Sequence, residues 1–168
     1  MAQTTFAGPV RSLGGFINAG STGVVSLTAD TTLTVASHAG RLLLTNDAEG
    51  NFTLPSIVVT TPGDPTDPGQ LNNLGATFTF LVITAATDMD ILTDGTDKFV
   101  GGLYLGKSDA AGKTFMSGAS NDVITMNGST TGGIVGTVVT CYAAASAKYV
   151  VSGIALASGT VATPFADA

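Results

Sequence analysis

The sequence predicts an all-β protein, a single antiparallel β-sandwich of jelly-roll-like character preceded by an extended N-terminal arm. Three observations carry that prediction. Of the 168 residues only 11% are charged, 44% are hydrophobic and 22 are glycine, and no run of Leu, Ala, Glu and Lys at helical spacing occurs, which is the composition of strands and turns. Short apolar-alternating runs recur between clusters of Gly, Asn, Asp and Pro, enough for nine to ten strands. The stretch from Gly132 to Leu156 reads as a closing hairpin, two runs rich in Val, Ile and Tyr around an Ala/Ser loop at Ala143 to Ala147.

On the first run of that hairpin Ile134, Val138, Thr140 and Tyr142 share one face, and Val135, Thr137, Val139 and Cys141 share the other. Both faces are largely apolar, so the strand belongs in the middle of a sheet with cover on both sides. One face is expected to pack the two sheets through Tyr142 or Tyr149. The other, with Val135 and Val139, is expected to bury an interchain surface. A mean hydropathy of +0.41 is high for a monomer that must stay wetted, and it too points to a homo-oligomer.

The length suits one domain. Residues 1–22 carry Gly8, Pro9, Gly14, Gly15 and Gly20, too many breakers for a helix, and read as an arm; residues 23–168 form the sandwich. From Val24 to Ala36 the alternation of Leu27, Leu33 and Val35 with Thr neighbours predicts a hairpin or bent strand turning near Asp30. Arg41 to Thr45 is the next strand, followed by a turn at Asn46 to Gly50 and a strand at Phe52-Thr-Leu54. Pro55 confines Ile57 to Thr60 to an edge. Thr61 to Gln70 is a Pro- and Asp-rich exposed loop. Ala76 to Ala85 is the clearest alternating strand, with Phe78, Phe80 and Val82 on one face. Asp90 to Thr93 and Lys98 to Leu105 flank Asp94-Gly95-Thr96-Asp97, a hairpin signal. Gly106 to Ala119 reads as a polar connection and Asp122 to Asn127 as a further strand.

The formal net charge is −6 and the six Lys and Arg residues are scattered, so no basic surface for nucleic acid is expected. No run has the roughly 18 apolar residues of a membrane helix, and the N-terminus lacks the basic start and apolar core of an export signal, so synthesis in a cytoplasm is expected. His38, the single histidine, has no marked nucleophile or second ligand and reads as an ordinary loop or strand-end residue. Cys141, the single cysteine, excludes an intrachain disulfide and reads as a core thiol. Asp88, Asp90, Asp94 and Asp97 are the one possible calcium ligand set, but their spacing is not that of an EF-hand, and turn formation is the plainer explanation. The Gly-rich pieces at 101–102 and 131–133 lack the ending of a phosphate loop. The triplets Asn51-Phe-Thr53 and Asn127-Gly-Ser129 read as turns. No catalytic pair, metal site or cofactor site is assigned, and the chain is expected not to be an enzyme.

The order Phe52-Thr-Leu54-Pro55, Gly75-Ala-Thr-Phe78-Thr-Phe80, Asp90-Ile-Leu-Thr93 with Asp94-Gly95-Thr96-Asp97, Gly128, Gly136-Thr-Val-Val-Thr140 and Tyr149-Val-Val-Ser-Gly153 resembles the small β-sandwich structural proteins of tailed bacteriophages, marine ones in particular. The start Thr4-Thr-Phe-Ala-Gly-Pro-Val-Arg-Ser12 is similar to theirs. Tyr149 stands where that family often has Trp. The resemblance implies a non-enzymatic virion component on the capsid surface, a capsid decoration protein that stabilises the head. Its implied partners are the major capsid protein and copies of itself, as a trimer. The arm residues Phe6, Val10, Arg11, Phe16 and Ile17 are expected to contact the capsid. A receptor- or glycan-binding knob of a tail fibre is the alternative.

Overall fold

The computed structural model describes residues 23–59, 72–108 and 111–168. The expected arm, with Phe6, Val10, Arg11, Phe16 and Ile17, and the loop 61–70 lie outside the described residues. The described residues form twelve strands and one helical turn: β1 (Val24–Leu27), β2 (Thr31–Thr32), α1 (Val35–His38), β3 (Leu42–Thr45), β4 (Asn51–Thr53), β5 (Thr77–Val82), β6 (Met89–Leu92), β7 (Lys98–Gly106), β8 (Lys113–Met116), β9 (Val123–Met126), β10 (Val138–Ala145), β11 (Lys148–Leu156) and β12 (Phe165–Ala166). They build a seven-stranded sheet in the order β1-β3-β5-β10-β11-β7-β8 and a five-stranded sheet in the order β12-β9-β6-β4-β2.

The two sheets face each other across one core. Because side chains alternate along a strand, each strand sends one row inward. In the large sheet Val25, Leu43, Phe80 and Val139 fall in register across four strands. In the small sheet Phe52, Ile91, Ile124 and Phe165 do the same. Phe52 stacks on Phe80 with ring centroids 6.3 Å apart, and Phe78 meets Tyr149 edge-on at 6.5 Å. Each such side chain taken from water contributes about 1.5–3 kcal/mol, so these cross-sheet contacts hold the layers together.

Both sheets are mixed, which corrects the expectation of antiparallel pairing throughout. β1, β3 and β5 are parallel neighbours in the large sheet, and β2, β4 and β6 are parallel neighbours in the small one. From β1 to β6 the chain therefore winds back and forth between the sheets, laying down three successive coils. This winding overturns the hairpin alternative near Asp30 and the hairpin expected at Asp94 to Asp97. The segments on either side of Asp30 enter different sheets, and so do β6 and β7 on either side of Asp94 to Asp97. Val35, expected to alternate inward, instead opens α1, where Thr34 caps the turn by accepting from the Ser37 amide. No strand forms at Ile57 to Val59. The connection at Gly106 to Ala119 contains β8, paired antiparallel with β7, and β12 closes the small sheet where the sequence suggested nothing.

The closing hairpin is present and central, as expected: β10 and β11 pair antiparallel and occupy the fourth and fifth places of seven. Its turn is tighter than expected, with Ala147 in the left-handed region at φ 55°. β11 also pairs parallel to β7, fifty positions away in register. At Gly153, φ is 152°, and a Cβ there would press on the Val138 carbonyl and lie 3.0 Å from the Val139 Cα. Neither atom can yield without parting the hairpin.

Gly153→Ala is therefore expected to destabilise the fold by about 2–4 kcal/mol, since overpacking adds to backbone strain. Gly95→Ala, also at positive φ but with open space around it, should cost only about 1–2 kcal/mol. Urea unfolding of the two variants checks the difference; equal losses would show that conformation alone decides.

Candidate functional site: an interaction surface

The structure separates the polar chemistry singled out in the sequence into two structural knots and leaves a third feature, the outer face of the seven-stranded sheet, without a role in the fold.

The first knot is the β6–β7 connection. Asp94 Oδ1 accepts from the Thr96 and Asp97 amides at 2.9 and 2.8 Å, and Asp97 Oδ2 accepts from the Ile57 amide at 2.8 Å. The Thr93 hydroxyl donates to the Asp97 carbonyl at 2.7 Å. Tyr149, fully buried, donates its hydroxyl to the Pro55 carbonyl at 2.6 Å. These bonds fasten the segment after β4 to the large sheet. Lys98 Nζ donates to the Gly95 carbonyl at 2.8 Å and forms an ion pair with Asp122 Oδ2 at 2.6 Å. Asp122 Oδ1 also accepts from the Ala168 amide at 2.8 Å, so one carboxylate ties β7, β9 and the C-terminal residues. The hydrogen-bonded Lys98 ammonium holds the Asp122 carboxyl below its ordinary range, against burial. Burial, with Asp94 nearby, pushes Asp97 up despite the Ile57 amide.

Asp88 and Asp90 lie at the start of β6, and Asp94 and Asp97 lie beyond its end, so the four carboxylates do not converge. Among the described residues no group of three or more metal-ligating side chains assembles. Asp90 stands out because its Oδ1 is buried without a hydrogen-bond partner. Burial raises its pKa, a hydrogen bond from Thr125 opposes this, and Asp88 adds to the rise. Asn127 forms the second knot: its Oδ1 accepts from the amides of Ser129, Thr130 and Thr131. His38 Nδ1 accepts from the Thr34 amide at 2.9 Å, closing α1. Cys141 is fully buried, and burial raises its thiol pKa, as a core thiol should behave.

Val135 and Val139 do not form a common surface. Val139 is fully buried and points into the chain's own core, beside Cys141 and Ala143, so its assignment to an interchain surface is corrected. Val135 is 53% exposed but lies in the turn before β10. The outward face carries the other set, Val138, Thr140 and Tyr142. Of the two aromatic candidates for inter-sheet packing, Tyr149 takes that place and Tyr142 faces out. The cysteine was the available signal: a lone thiol is usually interior, and Val139 shares its face.

Three rows cross the outward face. Leu44, Leu81, Val138, Ile154 and Tyr104 are successive register partners on β3, β5, β10, β11 and β7. Thr79, Thr140 and Ser152 form a hydroxyl row beside them, with Thr79 and Thr140 bonded to each other at 3.3 Å. Tyr142, Val150 and Val100 form a second apolar row. Ile154 is 54% exposed and Tyr104 44%. At one end Tyr104, Ile154, Leu156 and Ile134 line a cleft of about 510 Å³.

Charge is distributed accordingly. No strand of the seven-stranded sheet bears a carboxylate, whereas Lys98, Lys113 and Lys148 all lie on it. The small sheet is polar outside, with Asn51, Asp90 and Thr125 in register. The large face is thus an apolar, carboxylate-free surface of the kind that marks protein contact sites.

The lowered Asp122 and raised Asp90 pKa values give opposite pH signatures. A depressed carboxyl adds stability that is complete above its unfolded pKa and is lost as pH falls through the folded value. Asp122→Asn should therefore lose about 1–3 kcal/mol at neutral pH, with the gap to wild type closing below about pH 4. Asp90→Asn should raise the melting temperature at neutral pH and lose that advantage in acid, where Asp90 itself is protonated. Melting curves across the acid range check both. No family model, curated protein or solved structure matches the chain.

Proposed function

We propose that the chain is a non-enzymatic structural protein of a phage virion, a capsid decoration protein that binds the outer capsid surface as an oligomer and stabilises the head. The observation that carries this reading is the outward face of the seven-stranded sheet, apolar in two rows across its central strands and free of carboxylates. A surface of this kind binds other protein surfaces, and it does so without an active site. The resemblance of the strand motifs and of the N-terminal residues to phage structural proteins supplies the particle.

Physical chemistry supports the assignment to a shell. Decoration works by repetition: many copies each contribute a modest contact, and linked contacts add to an avidity no single one has. A protein that binds only the assembled shell shifts its disassembly equilibrium by mass action. The carboxylates of the described residues stand off the large sheet, so with that sheet turned toward neighbouring protein the acidic side faces solvent, away from packaged nucleic acid. In this reading the major capsid protein and other copies of the chain, as a trimer, are the partners, and residues 1–22 are the further capsid contact.

Quantitative mass spectrometry of purified particles tests the reading. Hundreds of copies per particle are expected. A handful would replace decoration by a tail-fibre knob, and absence from the particle would overturn both.

A further inference from the structure

We propose that the outward face of the seven-stranded sheet is the self-association surface of this protein, packing against the same face of a second copy. This rests on the reading of the chain as an assembly protein and names the partner for that face. Three observations point to a copy of the chain itself. The first is charge. The chain carries a net −6, so two copies repel in most orientations, yet no strand of this sheet bears a carboxylate. Face-to-face approach keeps the acidic sides of both copies turned away from the contact.

The second is relief. The apolar row through Val138 and Ile154 and the apolar row through Tyr142 and Val150 flank a row of shorter side chains, Thr79, Thr140 and Ser152. A ridge of one copy fits the hydroxyl trough of the other, as in aligned sheet-on-sheet packing. The Thr79–Thr140 hydrogen bond already satisfies part of that trough, which lowers the cost of drying it. The third is area. Seven strands about 4.8 Å apart and up to nine residues long, at about 3.3 Å per residue, present on the order of 700 Å², close to the roughly 800 Å² per partner of a stable interface.

The test is the mass of the full chain by light scattering after gel filtration at tens of micromolar. Wild type is expected at the mass of two chains, since a contact between like faces closes on a two-fold axis. Ile154→Asp and Tyr104→Asp should run as monomers, with association at least tenfold weaker and unchanged circular dichroism. Val35→Asp, which adds the same charge at an exposed valine on α1, should behave as wild type. Ile154→Thr, which keeps the β-branched side chain, gives the readout if the aspartate variants fail to fold, and should also weaken association. A monomeric wild type, or an oligomer indifferent to substitutions at Ile154 and Tyr104, overturns the proposal. A monomer present in hundreds of copies per particle would overturn self-association and leave the virion reading standing; an oligomer absent from particles would do the reverse.

Discussion

The structure depends on the closure of two facing sheets over one set of interlocked side chains. Phe52 and Ile91 on one layer and Phe80 and Val139 on the other leave water only if the layers meet, and neither sheet has another way to bury its inner row. Period-two alternation then has a second effect. Once the inner row is assigned, every outer residue is assigned as well, with no freedom to rotate away. The outer rows are therefore a surface set by the same register that builds the core. On the small sheet they are Asn51, Asp90 and Thr125; on the large sheet they are Val138, Ile154 and Tyr104.

That contrast gives the molecule two sides of different chemistry. The polar knots sit at the ends of the strands, where Asp97, Asp122, Lys98 and Tyr149 join connections that would otherwise be held by backbone alone. They account for most of the conspicuous polar residues as structural groups. What they leave unaccounted for is the exposed apolar surface of the large sheet, of the kind that marks contact sites.

Strand positions were legible because alternation is local. Phe78, Phe80 and Val82 point inward as their spacing demands, and the Cys141 face is interior as a lone thiol suggests. Sheet membership was not legible. Asp94-Gly95-Thr96-Asp97 has the residues of a hairpin turn, yet the same residues can carry a strand over to the opposite layer, and only long-range pairing decides. Parallel coils hide for that reason: β1, β3 and β5 have no sequence mark of being neighbours. The short β2 and β12 owe their existence to partners already in place, so propensity alone misses them. The outward apolar face was half legible, since the two faces of β10 separate correctly in the sequence. Which one turns inward follows from Cys141, and the pairing of Val135 with Val139 ignored it.

The position of β10 and β11 in the middle of the large sheet has a consequence for how the protein is made. Among the described strands these follow all but β12 in the chain, yet they bridge β5 to β7. Until they emerge, the sheet exists as two fragments with open edges, and loop-closure entropy must be met before the central pairings return anything. Closure of the large sheet is thereby deferred until β11 has been made. A chain truncated before Lys148 would present unpaired strand edges to every other copy being translated, the condition under which β proteins aggregate.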